Sequence, residues 1–174
     1  MRKILFLLLI SNFAFGQATL SVGVNFTLPS VSLLDIAPDR STFTLSFTAP
    51  TEAGNQITTT SSNNTKWLNF SSAVPPSVTR KVMASVSGTM PGGVNINLAV
   101  ASVAGAGAGA RGTPVSSLTL TTSPQAIVNN IGGAYTGNGA NNGYMLTFTL
   151  GIGDFSLLRN QTSNVTIVYT MVDN

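Results

Sequence analysis

The chain contains no histidine and no cysteine, and only five carboxylate side chains are spread over its 174 residues. Those absences remove an imidazole general base, a thiolate nucleophile, a zinc site of nitrogen and sulfur ligands, a haem histidine and every disulfide. Charge of either sign is scarce as well, at 7% of residues. The eight cations include Arg2 and Lys3 at the very start; the other six are scattered, and only Arg80 and Lys81 adjoin. A groove that neutralises phosphates needs clustered cations, so no nucleic-acid partner is expected despite the overall charge of +3. A long apolar run is also lacking. The longest, Ile4 to Ile10, is shorter than the ~20 residues of a membrane-spanning helix.

What the first sixteen residues do contain is a leader. Arg2 and Lys3 precede the apolar run, and Ala14, Phe15 and Gly16 place small residues at the −3 and −1 positions of a cut before Gln17. The expected organisation is a signal peptide over residues 1–16, an extended strand over 17–28 and one domain over 29–174. The protein is then exported, to the periplasm, the cell surface or the medium, and membrane association is not expected. Once the leader is removed, six cations face five acids, and a surface so poor in charge is wetted by Ser, Thr, Asn and Gly. Little net repulsion remains to oppose association.

The remaining chain alternates apolar and polar residues almost throughout. Leu20, Val22, Val24, Phe26 and Leu28 occupy every second position after the expected cut, and the pattern returns at Phe43 to Phe47, Val82 to Val86, Val94 to Val100, Tyr144 to Leu150 and Val165 to Met171. Period two is the signature of strands with one buried face. Val31 to Ile36, Trp67 to Phe70, Val115 to Thr122 and Ile127 to Ile131 are less regular strand candidates, and the eight prolines fall mostly between strands. No convincing helical period appears. The expected fold is all-β: one antiparallel, immunoglobulin-like sandwich of about nine or ten strands. A lone Trp in such a fold usually fills the core, and Trp67 is assigned there.

Two glycine-rich segments imitate functional motifs. Gly107, Gly109 and Gly112 satisfy the spacing of a dinucleotide loop, but the next segment reads as a strand and the next acid is Asp154, so no cofactor is expected. Close backbone approach or a flexible connection explains the run equally well. The second segment, Ile131 to Tyr144, reads as a long loop at one end of the sheets. Tyr135, Asn138, Asn141 and Asn142 make it a candidate ligand loop, with a glycan stacking on Tyr135 as the alternative function. A Ca²⁺ ion there would lack any carboxylate from the loop itself, and no metal site is assigned. Asp35, Asp39, Glu52, Asp154 and Asp173 show no arrangement that marks a catalytic pair, and no Ser precedes a Lys at the SxxK spacing; an enzyme is not expected.

The two ends carry the strongest pattern. One alternating strand opens the exported chain and another, Val165 to Val172, closes it. This arrangement resembles that of chaperone-usher pilins and the related spore-coat-U-like secreted subunits of bacteria, many of which, unlike this chain, carry a disulfide. The resemblance implies an incomplete sandwich whose last strand lies at the C-terminus and whose neighbour supplies the missing strand. Leu20, Val22, Val24, Phe26 and Leu28 would then plug a groove lined by Val165, Ile167, Tyr169 and Met171, in a surface or adhesive assembly with a periplasmic chaperone as a further partner. Period two cannot distinguish a strand kept within the chain from one donated between chains, and a self-contained sandwich stands beside this reading. An outer-membrane barrel of about eight strands fits the length too, although the short strands, the prolines and the lack of a C-terminal aromatic count against it.

Overall fold

The computed structural model describes residues 17–59 and 61–174, so the leader expected over residues 1–16 lies outside the described residues. Among the described residues eleven strands follow one another: β1 (Val31–Ala37), β2 (Ser62–Ala73), β3 (Arg80–Ser87), β4 (Val94–Val100), β5 (Ala108–Gly109), β6 (Thr113–Pro114), β7 (Ser117–Thr119), β8 (Gln125–Ile131), β9 (Ala134–Tyr135), β10 (Tyr144–Ile152) and β11 (Thr166–Asp173). All their pairings are antiparallel. One sheet runs β5-β9-β2-β10-β4-β7, with β1 on the other edge of β2, and the second runs β11-β3-β8-β6. The two sheets keep separate edges instead of closing on each other, so the barrel reading is overturned and the fold is a β-sandwich.

The core follows from the alternation. Leu68 and Phe70 of β2, Ile96, Leu98 and Val100 of β4, and Tyr144, Leu146 and Phe148 of β10 face Val82, Ala84 and Val86 of β3 and Ile127, Val128 and Ile131 of β8. Ile127 and Val128 are neighbours in sequence yet both fully buried. A register irregularity between β3 and β8 at Val82 and Met83 accounts for this, since a bulge sets two residues of one strand against one of the other. The Tyr144 hydroxyl donates to the Arg111 carbonyl at 2.6 Å, and burial pushes its pKa up to about 12.

Four expectations change. Residues 17–28 form no strand, although their alternation of apolar and polar residues is that of one. Residues 43–47 form no strand either; Phe43, Leu45 and Phe47 are half-buried while Thr42, Thr44 and Ser46 are exposed, so the alternation is honoured by packing without a ladder. Val115 to Thr122 is not one strand, because the chain leaves the smaller sheet at β6 and joins the larger at β7. Trp67 does not plug the core. In β2 the inward row is Lys66, Leu68, Phe70 and Ser72, so the pleat turns Trp67 to the opposite face, where it pairs with Ala37 and Met145 and stays half-buried.

Candidate functional site

Residues 17–30 carry an apolar face against which, among the described residues, nothing packs. Leu20, Val22, Val24, Phe26 and Leu28 are between 79% and 95% exposed. Scattered apolar residues on a surface are ordinary, but five in strict alternation on one unpaired segment form a contiguous strip that soluble proteins rarely leave in water.

A complementary defect lies on the sandwich itself. Among the described residues β1 pairs only with β2 and β11 only with β3, so each presents a free strand edge. Between these edges the sheets part around a groove of about 760 Å³. Leu34 and Ile36 of β1 line one wall, and Val165, Ile167 and Tyr169 line the other. Ile96, Phe148 and Leu150 contribute from β4 and β10. Phe43 and Leu45, from the unladdered segment, complete the lining, with the Phe43 and Phe148 rings 5.0 Å apart. Met171, assigned to this lining from the sequence, packs against the core beyond the groove. Burial raises the pKa of the Tyr169 phenol, consistent with an apolar setting.

One border of the groove is polar. Lys66 belongs to the inward row of β2, and its side chain is only 7% exposed. Its ammonium donates to the Asp39 carboxylate at 2.7 Å, to the Asp39 carbonyl at 3.1 Å and to the Ser41 hydroxyl at 3.2 Å. A buried cation demands such company. Lys66, and then the Ser41 hydroxyl and N–H, hold the Asp39 carboxyl well below the usual carboxylate range. Arg40 does the same for Asp35, more weakly, through a 2.8 Å bond. A carboxyl whose folded pKa is depressed adds stability above its unfolded value, about 4, and loses it as pH falls through the folded value. The melting temperature is therefore expected to fall below about pH 4, and Asp39→Asn to flatten that fall. An unchanged acid limb in the variant would show that Asp39 contributes none of it.

The glycine-rich segments are built for structure. A Cβ at Gly107 would stand 2.2 Å from the Tyr135 carbonyl oxygen, so the Ala/Gly run allows close backbone approach beside β9. The loop after β9 is pinned across β2: Asn69 donates to the Asn142 carbonyl at 2.7 Å and accepts from the Gly139 N–H at 2.8 Å. The Asn142 side chain in turn accepts from the Ala106 N–H and donates to the Asn138 carbonyl. Of the candidate ligand loop, Asn142 is thus committed to holding the loop, while Tyr135, Asn138 and Asn141 are exposed. Tyr135 and Asn138 border a shallow depression of about 320 Å³ with Leu33. Among the described residues no group of three His, Cys, Asp or Glu could hold a metal ion.

Sequence reasoning missed the contribution of residues 39–45 to the groove and the anchoring of Lys66. The available signal was Asp35 and Asp39 flanking Pro38, acids weighed above only as catalytic candidates. Comparison of the chain with protein-family models, with curated proteins and with solved structures finds no match in any of the three.

Proposed function

We propose that this chain is an exported, non-catalytic structural subunit of a bacterial surface assembly, and that copies associate by strand donation. The observation that carries the reading is the coexistence of two complementary defects: an apolar strip without a groove and an apolar groove between two free strand edges. Adding an extended segment to an exposed edge supplies main-chain hydrogen bonds, and alternate side chains entering pockets supply specificity. The same step covers edges that would otherwise template uncontrolled pairing. A glycan-binding function finds less support, since Tyr135 is the one exposed aromatic on its depression, Phe70 being buried, and the Asn142 amide is occupied.

The test is a fluorescently labelled peptide of residues 17–30 titrated into the full exported chain carrying Val24→Asp, whose own extension is disabled while its groove is intact. Saturable binding, competed by unlabelled peptide but not by a peptide bearing the same Asp, is expected. Absence of binding up to millimolar peptide would remove the proposal.

A further inference from the structure

Building on strand donation, we infer that the root of the extension is constructed to forbid self-insertion, so that the occupant of the groove is the extension of a second copy of this chain. The root is the junction of residues 28–31. Arg80, at the start of β3, has a side chain only 8% exposed. Its guanidinium donates to the Ser30 hydroxyl at 3.2 Å, to the Val31 carbonyl, and to the Asp173 carboxylate at 2.7 Å. Ser30 also donates to the Ala73 carbonyl at 3.2 Å, and Val31 opposite Ala73 is the first pair of the β1–β2 ladder. One buried cation therefore ties the beginning of β1, in the larger sheet, to the end of β11, in the smaller.

The consequence is directional. β1 leaves this clamp toward Ala37, while β11 arrives at it from Val165, so the groove extends away from the clamp along both strands. To enter its own groove, the extension would have to reverse direction within Pro29 and Ser30. Ser30 is held on both sides, by Arg80 and by Ala73. Pro29 has its φ fixed near −65° and forces Leu28 into extended conformations. The tight two-residue reversals favoured between strands have φ above zero at their first central position, which proline cannot adopt. The extension is thereby aimed off the end of the domain, where it is found fully exposed. A second copy meets no such constraint, because its extension enters as a free end.

The test inserts about ten Gly/Ser residues between Leu28 and Pro29 of the full exported chain. The insertion lies between two exposed residues, so the domain is left intact. Ten residues reach up to roughly 33 Å, enough to pass the eight residues of β11 at about 3.4 Å each, so the donor strand can enter its own groove in either direction. Short flexible linkers give effective concentrations near millimolar, about a thousandfold above a micromolar chain concentration. The unmodified chain is expected to form polymers by light scattering at micromolar concentration. The linker chain should be monomeric there and refuse the labelled peptide of residues 17–30. Pro29→Gly combined with Arg80→Met should yield a smaller monomeric share by the same route. A linker chain that polymerises like the unmodified one overturns the inference, as does an unmodified chain that is already a closed monomer refusing the peptide. If instead the peptide fails to bind the Val24→Asp chain, strand donation itself is what falls.

Discussion

Val24→Asp is expected to abolish assembly of the exported chain while leaving the monomer as stable as before. The wall at β11 offers three apolar residues to the groove, Val165 just before the strand and Ile167 and Tyr169 within it. The donor strip has five members, and every way of seating three consecutive ones includes Val24, whatever the register. Burying a valine contributes about 1.5 kcal/mol or more, and an unpaired carboxylate in its place costs several kcal/mol. Affinity between copies should fall at least on the order of a thousandfold, read as a shift from polymer to monomer in light scattering across a concentration series. Because Val24 is 79% exposed in the single chain, its melting temperature should not move. Polymers that persist with Val24→Asp would mean that the strip is not the donor.

Phe148→Ala is expected to strike stability and assembly together. Phe148 is 1% exposed, lies on β10 opposite Leu98, stacks at a tilt on Phe43 and lines the groove. Removing a buried phenyl ring typically costs about 3–5 kcal/mol through lost transfer energy and the cavity left behind. Denaturant unfolding in the Val24→Asp background, expected to be monomeric, should show that loss without interference from association. Phe43 also loses its ring partner, so the wall of the groove formed by residues 43–45 should loosen and labelled peptide should bind more weakly. A variant that loses stability but binds peptide with unchanged affinity would separate the core role of Phe148 from any role in the groove.

How far the sequence alone reaches differs from element to element. Period two located β3, β4, β10 and β11 well, because each buries one face and its inward residues must alternate, whereas β1 was legible only as a less regular candidate. It misplaced Trp67, since the inward row of β2 begins with a lysine. Lys66 is tolerable inside only because a turn more than twenty residues earlier brings back the carboxylate of Asp39, a partnership no local pattern encodes. The Val115 to Thr122 segment reads as one strand because periodicity reports a buried face and not the sheet to which it belongs. The segment 43–47 is the instructive failure. Its alternation is real and its apolar residues do pack inward, yet a strand also needs a neighbour for its backbone, and the groove lies beside it. The same holds for residues 20–28, whose pattern was legible while the identity of their partner was not.

The clamp at Arg80 sets the beginning of β1 and the end of β11 at one end of the domain, and the groove runs away from it. On the proposed reading every copy that joins fills one groove and brings another, so the count of vacancies never changes. An assembly of any length keeps a single uncovered cleft at one tip and a single unclaimed strand at the other. Such an object has a direction, grows without an internal signal to stop, and can be terminated only by a component that supplies a strand without offering a cleft, or the reverse.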